Sequence, residues 1–214
     1  MFKAEKSSLI IWKVIPLVLI TVFICGTVPA QRALKIEKND GSITYINASA
    51  VNKITFETPL AIGDTYQGGI IFYLDASGEH GLVAAPSDQS TGVVWNSGLF
   101  EVTFQNLEED IGAGKENTYL IVGHQKNGTY AAWKCANLSL GGNTDWYLPS
   151  KDELNLMYTN LHLGGVGGFA NNTYWSSTEV YYTYAWIQSF IDGYQDPYGK
   201  KTIDEYHVRA IRSF

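Results

Sequence analysis

The chain has 214 residues, of which 45% are hydrophobic, 17% charged and 14% aromatic, and its formal net charge is −6. This composition argues against a long disordered region and against nucleic acid as a partner. The aromatic residues are unevenly placed, because seven of the fourteen tyrosines fall in the last 44 residues. These are Tyr174, Tyr181, Tyr182, Tyr184, Tyr194, Tyr198 and Tyr206.

The first 30 residues have the order of parts that is typical of a secretory signal. Three lysines precede an apolar run over 14–25, and small residues follow it up to Ala30. We predict cleavage after Ala30. The alternative is that the segment is retained as a membrane anchor, which is the only contact with a membrane that we consider. The apolar run is, however, shorter than the roughly 20 residues of a spanning helix. A lipid anchor on Cys25 is not expected, because Ile24 stands where such signals have a small residue.

Removal of this segment leaves an acidic protein with one cysteine. Three lysines and one glutamate are lost, so the formal charge changes from −6 to −8. Such a surface repels polyanions, and we expect neither nucleic acid nor a heparin-like polymer as a partner. Cys135 is then the single cysteine, so no intrachain disulfide can form.

The remaining chain is predicted to consist of an N-terminal β extension over 31–58 and a main domain over 59–214. In the extension, Leu34 and Ile36 alternate with polar residues, and a turn signal follows at 39–41. The extension is too small to support a core of its own. Pro59 separates it from the main domain.

The main domain begins with strand signals and continues with helical ones. Apolar runs at 70–74 and 81–85 flank a turn and predict a β-hairpin, and 93–95 is a further short strand candidate. Helices are expected at about 115–125 and 130–138, where apolar residues return to one side.

The clearest local signal is a helix start at Ser150. Ser150 followed three residues later by Glu153 forms a capping box. Leu154, Met157 and Leu161 then share one helical face and predict docking on the core.

Three strand candidates close the chain, at about 173–178, 184–191 and 206–213. Early strands, middle helices and late strands predict an α+β domain with a largely antiparallel sheet, flanking helices and terminal strands that meet.

No segment has the spacing of a known catalytic or metal site. The loop 112–116 resembles a phosphate loop, but Glu109 and Glu116 stand where a glycine and a magnesium-binding hydroxyl are needed. The four histidines show neither HExxH spacing nor cysteine partners. Cys135 is interpreted as a small core residue, and the acidic run 108–110 as a solvated face. We therefore predict no enzyme activity, no cofactor and no metal.

The tyrosine-rich segment is the strongest candidate for a binding surface. Tyrosine offers a large amphipathic area at low conformational cost. The turn-like sequence around Tyr181, Tyr182, Tyr194 and Tyr198 predicts exposure, whereas strand alternation directs Tyr184, Trp186 and Phe190 inward. Packing of a strand face is the alternative explanation. The predicted ligand-binding set is Tyr181, Tyr182, Tyr184, Asp192, Tyr194, Asp196 and Tyr198.

Five segments, taken in order, form a specific set: GDTYQGGIIFY at 63–73, HGLVAA at 80–85, DWYLPSKDEL at 145–154, YWSSTE at 174–179 and VRAIRSF at 208–214. Together they resemble the Lcl C-terminal domain family, which is named for the last domain of a bacterial collagen-like adhesin. The resemblance covers nearly all of 63–214.

The resemblance implies a C-type-lectin-like fold in which these segments form the scaffold. The stretch between YWSSTE and VRAIRSF then corresponds to the ligand-display region. Related domains are the variable proteins of diversity-generating retroelements, and the tyrosine, asparagine and aspartate content of 171–198 is compatible with that role. We expect a secreted or cell-envelope bacterial module that is non-catalytic and presents tyrosines to a glycan or protein ligand.

Some family features do not carry over. Calcium-binding lectin loops differ from Gln195–Pro197 and Trp95–Ser97, so no calcium is implied. The adhesin is associated with sulfated polysaccharides, which a charge of −8 disfavours. Formylglycine-generating enzymes share the broader fold but need a cysteine pair. The sequence offers one local basic cluster, namely Lys200, Lys201, Arg209 and Arg212.

Two other functions stay open at this point. The chain is a structural subunit of the cell envelope if its tyrosine-rich surface is a subunit interface, in which case it forms oligomers. It is an envelope enzyme if carboxylates near the same loops act on a substrate, although no paired acid motif supports this.

Overall fold

The computed structural model describes residues 19–21, 33–37, 41–47, 58–98, 104 and 107–214. The chain divides into two compact units, Met1–Thr58 and Pro59–Phe214. The first unit contains a three-stranded antiparallel sheet of β1 (Leu19–Thr21), β2 (Ala33–Glu37) and β3 (Ile43–Asn47), in that order.

The first unit bears on two of the predictions. The alternating pattern at Leu34 and Ile36 forms β2, as expected for a strand. β1 lies inside the predicted signal segment, whereas the predicted cleavage point at Ala30 lies outside the described residues, so cleavage stays a prediction. Within the described ranges, no helix combines the length and the hydropathy that a membrane crossing requires.

The second unit is a mixed α/β structure with mostly antiparallel sheets and three short helices among its described residues. The helices are α1 (Gly114–Gln125), α2 (Ala131–Ala136) and α3 (Lys151–Asn160), and a 3-10 turn follows at His162–Gly164. The strands are β4 (Thr65–Tyr66), β5 (Gly69–Leu74), β6 (Gly81–Ala84), β7 (Ser90–Val93), β8 (Thr173–Tyr181), β9 (Tyr184–Ser189), β10 (Gln195–Lys200), β11 (Tyr206–Val208) and β12 (Ile211–Ser213).

These strands form two sheets. One has the order β12-β6-β5-β4 and contains the predicted hairpin, in which β5 and β6 pair antiparallel. The last strand joins it, because Ile211 lies opposite Ala84 and the Gly81 amide donates to the Phe214 carbonyl over 3.2 Å. The other sheet has the order β10-β9-β8-β11-β7, and only the β8–β11 pair in it is parallel.

The carboxylate of Glu153 joins the starts of two helices. The predicted capping box at α3 is confirmed, since the Glu153 amide donates to Ser150 Oγ and Glu153 Oε2 accepts from the Ser150 amide over 2.8 Å. Glu153 Oε1 also accepts from the Gly112 amide over 2.9 Å, just before α1. A Cβ on Gly114 would lie 2.3 Å from Glu153 Oε2, so the close approach requires glycine there. The loop that resembled a phosphate loop therefore holds a carboxyl group of the protein itself.

The structure of the last third of the chain differs from the prediction in two respects. β10 was not predicted, because Pro197 and Gly199 weaken a strand signal; it forms at the sheet edge, where proline is tolerated. Tyr184 and Trp186 are half-buried, and it is Ala185 on the opposite face of β9 that is fully buried. The physical reason is that Trp175 fills the core on the face of Ala185, while Trp186 lies on the other face, where Lys151 Nζ is 4.7 Å from the centre of its ring. Phe190 is buried, as predicted.

The predicted basic cluster does not exist as a surface patch. Arg209 is 1% exposed, and its Nε donates to Asp88 Oδ1 over 2.7 Å. Arg212 donates to both carboxylate oxygens of Asp145, over 2.7 and 3.1 Å. Lys201 is also buried, so Lys200 is the one exposed member of the four. The arginines of the VRAIRSF segment thus tie the end of the chain to earlier segments instead of facing a polyanion.

The Asp145–Arg212 pair predicts a specific loss of stability in acid. The hydrogen bonds and positive charge of Arg212 lower the pKa of Asp145 against the opposing effect of burial. Since the folded-state pKa is depressed, the stabilisation is present above the ordinary carboxyl pKa of about 3.9 and is lost as the pH falls through the lower folded value. We expect the stability difference between the wild type and Asp145→Asn to shrink across that window, as measured by urea unfolding at several pH values.

The matched control is Glu79→Gln, since Glu79 is an exposed carboxylate on the β5–β6 turn. It should leave the acid limb of the wild-type stability curve unchanged. A difference between wild type and Asp145→Asn that stays constant from neutral pH to pH 3 would contradict the assignment.

Candidate functional site

The predicted binding residues are spread along one hairpin: Tyr181, Tyr182 and Tyr184 lie at one end and Asp192 and Tyr194 at the other, while Asp196 and Tyr198 lie on β10 between the ends. β9 pairs antiparallel with β10, with Lys200 opposite Tyr184 and Gln195 opposite Gln188. The ends of β9 are about 17 Å apart, because a strand rises about 3.3 Å per residue. The structure therefore does not gather all seven predicted residues into a single surface.

Four of them form what we call the tyrosine cluster: Tyr181, Tyr182, Tyr184 and Tyr198. Tyr181 at the end of β8 lies opposite Tyr184 at the start of β9. The ring centroids of Tyr181 and Tyr182 are 4.5 Å apart, and those of Tyr184 and Tyr198 are 5.7 Å apart, both edge to face. Tyr181, Tyr182 and Tyr198 are 56%, 39% and 68% exposed, which confirms the exposure predicted for them.

The tyrosine cluster rests on a buried ion pair. Lys201 Nζ contacts Glu179 Oε1 and donates to the Tyr182 carbonyl over 3.2 Å, and the Lys201 amide donates to the Thr183 carbonyl over 3.1 Å. Burial raises the pKa of Glu179 and lowers that of Lys201. Because the Lys201 and Glu179 side chains are both buried, they hold the β8–β9 turn from the protein interior and are not accessible to a ligand.

The second group consists of Asp192, Tyr194 and Asp196. Asp192 Oδ1 accepts from the Tyr194 amide over 3.2 Å, and Asp196 Oδ1 accepts from the Tyr198 amide over 2.9 Å. A hydrogen bond from Ser189, assisted by the Tyr194 amide, lowers the pKa of Asp192. Both carboxylates therefore hold the local backbone, whereas the Tyr194 ring is 64% exposed. Their role in binding stays a prediction.

The acidic run contributes to the scaffold as well as to the surface. The Glu109 carboxylate contacts Lys151 Nζ, and the Asp110 carbonyl accepts from Ser150 Oγ over 2.8 Å. Among the described residues, no three histidine, cysteine, aspartate or glutamate side chains are grouped so that they could hold a metal ion. The Cys135 thiol is fully buried, and burial raises its pKa, so it is a core residue as predicted.

Sequence reasoning missed one feature of the second unit. Trp133, in the helix predicted at 130–138, packs against the core as a half-buried residue, but it also lines a surface groove of about 450 Å³ together with Asp88 and Lys134. The available signal was weak: α2 is only six residues long, and the polar residues Asn137 and Ser139 follow it.

Comparison with known proteins establishes the family. The model of the Lcl C-terminal domain matches residues 85–212, which is more than half of the chain. The chain belongs to the Lcl C-terminal domain family. The expectation drawn from the sequence segments is thereby confirmed, and the Lcl C-terminal domain of this chain includes both the tyrosine cluster and the groove.

A solved structure with a similar fold gives a further comparison. It is the crystal structure of a fimbrial protein from Bacteroides ovatus ATCC 8483, with a TM-score of 0.50 and 17% sequence identity. The match covers 85% of this chain and 57% of the fimbrial protein, so this chain spans little more than half of that protein. No curated protein matches the chain. At this sequence identity, the likeness to the fimbrial protein concerns the fold alone.

Proposed function

We propose that this protein is an exported, non-catalytic bacterial module that binds a glycan or protein ligand through the tyrosine cluster, displayed from a C-type-lectin-like scaffold. The observation that carries the proposal is the arrangement of exposed tyrosine rings on an enclosed ion pair. Aromatic rings fixed by their neighbours lose little entropy on binding, and their hydroxyl groups can both donate and accept hydrogen bonds.

The charges of the surroundings favour a ligand that is not a polyanion. Lys201, Arg209 and Arg212 are buried in pairs with carboxylates, so they do not provide a cationic surface. The predicted mature charge of −8 adds a general repulsion. A neutral glycan or a protein surface with hydrogen-bonding groups fits the tyrosine cluster better than a sulfated polymer.

The proposal is tested with the double variant Tyr181→Ala/Tyr198→Ala on a printed glycan array and a panel of extracellular-matrix proteins. We expect each wild-type signal to fall at least about tenfold, because truncation of central aromatic residues costs about 1–3 kcal/mol of binding free energy. Melting temperature should stay close to that of the wild type, since both rings are exposed.

Two single variants are the controls. Tyr119 on α1 is 71% exposed and lies outside the tyrosine cluster, so Tyr119→Ala should keep every signal. Tyr194→Ala changes a tyrosine at the far end of the hairpin and reports whether the second predicted group takes part. Wild-type signals that persist in the double variant, or a wild type that binds nothing on either panel, would contradict the proposed function.

A structural subunit is the second candidate, favoured by the likeness to a fimbrial protein. In that case the tyrosine cluster is an interface between copies or with another subunit. Light scattering across a concentration series distinguishes the two, because an interface predicts a concentration-dependent mass that the double variant lowers.

A further inference from the structure

We propose that the groove beside α2 is a second binding site, which takes a pyranose unit of a neutral saccharide. The groove has a volume of about 450 Å³, enough for one or two sugar rings. Its lining includes Asp88, Gln89, Trp133, Lys134, Asn137 and Ser139.

The groove and the tyrosine cluster lie on different parts of the second unit. Asp88 and Gln89 immediately precede β7, which is one edge of the five-stranded sheet. The tyrosine cluster is carried by β8, β9 and the opposite edge strand β10. The two sites share no residue, so the groove proposal does not depend on the proposed function.

Trp133 differs from the tryptophans of the core. The indole nitrogens of Trp95, Trp146 and Trp175 donate to backbone carbonyls over 2.7, 3.4 and 2.7 Å. Within the described part of the chain, the indole N–H of Trp133 donates to no protein acceptor, and its ring is half-buried. A flat ring held by the core, with a donor left for solvent, is suited to contact one face and one hydroxyl of a sugar.

Two of the polar residues that line the groove with Trp133 are held in place before any ligand arrives. Asp88 Oδ1 accepts from Arg209 Nε over 2.7 Å, and Oδ2 accepts from His207 Nδ1 over 2.8 Å and from the Tyr174 hydroxyl over 3.0 Å. A carboxylate has about four acceptor positions, so capacity for one more donor remains. Gln89 is held at both ends, by the Ser87 carbonyl and the Ala210 amide. Such preorganisation lowers the entropic cost of binding.

The mixture of groups in the lining points to a neutral polyol. The lining contains the carboxylate of Asp88 and the ammonium group of Lys134, so the groove as a whole favours neither an anionic nor a cationic ligand. Sugar hydroxyls both donate and accept, which allows them to pair with Asp88, Asn137 and Lys134 at once. Because the groove is open and a pyranose is small, we expect dissociation constants in the millimolar range.

The test is an NMR titration of the intact protein that follows the indole N–H signals, with the methyl glycosides of glucose, galactose, mannose and N-acetylglucosamine as probes. Trp→Phe variants at positions 133 and 186 assign the two half-exposed rings. We expect at least one glycoside to shift the Trp133 signal in a saturable way while the Trp186 signal stays in place.

Variants at the rim of the groove test binding of the glycoside without disturbing the fold. Lys134 is half-buried and Asn137 is exposed, and neither side chain makes a hydrogen bond to another described residue. Lys134→Met and Asn137→Ala should each weaken the titration about fivefold or more without changing the melting temperature, whereas Tyr181→Ala/Tyr198→Ala should leave it unchanged. No saturable shift with any of the four glycosides, or a shift that both rim variants leave intact, would overturn the proposal. If Tyr181→Ala/Tyr198→Ala loses array binding but keeps the Trp133 titration, the result supports the groove as a separate site and assigns the array signals to the tyrosine cluster.

Discussion

Replacement of Glu153 by alanine is expected to lower the free energy of unfolding by about 3–4 kcal/mol. The side chain is fully buried and accepts hydrogen bonds from the amides of Ser150 and Gly112. Alanine leaves these buried donors without a partner at the starts of α1 and α3, and it also opens a cavity. Denaturant unfolding followed by circular dichroism measures the change.

Glu153→Gln tests which part of the interaction matters. Burial raises the pKa of Glu153, and the hydrogen bonds from Ser150 and Gly112 offset only part of this effect. A neutral side chain of the same shape should therefore cost less than alanine, about 2 kcal/mol, because one oxygen still accepts while the amide faces a donor. Asp152→Ala changes an exposed carboxylate of the same helical turn and should cost about 0.5 kcal/mol. Equal costs at positions 152 and 153 would contradict the role assigned to Glu153.

The two functions of Glu153 show what the sequence could predict. Its capping of α3 depends on residues three positions apart, and the capping-box pattern predicts it directly. Its bond to Gly112 spans 41 residues and depends on how α1 packs against α3, which no local pattern contains. The absence of a nucleotide site at Gly112 and Gly114 stays a prediction, whereas their contact with Glu153 is visible only in the fold.

The same distinction explains the error on β9. Alternation correctly separated its two faces, but the larger aromatic residues were assumed to face the core. Trp175 already fills the core side, where a Cβ on Gly199 would lie 2.5 Å from its ring, so the small Ala185 fits there. On the other side, Lys151 at the start of α3 lies over the Trp186 ring. Volume matching between strands that are distant in sequence decided the orientation.

The exposure of the tyrosines at the candidate site was predictable from the sequence, but the buried ion pair beneath them was not. Turn-like sequence around Tyr181, Tyr182 and Tyr198 predicted their exposure, because such segments run over the surface. The enclosure of Lys201 and Glu179 beneath them depends on contacts between residues 22 positions apart and on Trp95, far earlier in the chain. A sequence cluster of basic residues was therefore mistaken for a surface patch.

Breaking the Lys201–Glu179 pair from one side is expected to cost about 3 kcal/mol, whereas neutralising both sides should cost less than about 1 kcal/mol. The side chains are 1% and 3% exposed. Burial raises the pKa of Glu179 and lowers that of Lys201, which means that desolvation outweighs the mutual attraction. Glu179→Gln leaves a buried ammonium group, and Lys201→Met leaves a buried carboxylate. The double variant Glu179→Gln/Lys201→Met buries no charge and keeps an oxygen for the Phe104 amide, which donates to Glu179 Oε2 over 2.6 Å.

The pH dependence of the single variants separates this explanation from simple loss of packing. In Glu179→Gln, the buried Lys201 has a folded-state pKa below its unfolded value, so the variant should recover stability as the pH rises through that depressed pKa. In Lys201→Met, Glu179 has a raised folded-state pKa, so the variant should recover stability as the pH falls through that raised value. Urea unfolding of the four proteins between pH 4 and pH 10 measures both trends. If the double variant is as unstable as the sum of the single variants, the two side chains contribute through independent contacts, which would contradict the role assigned to the ion pair.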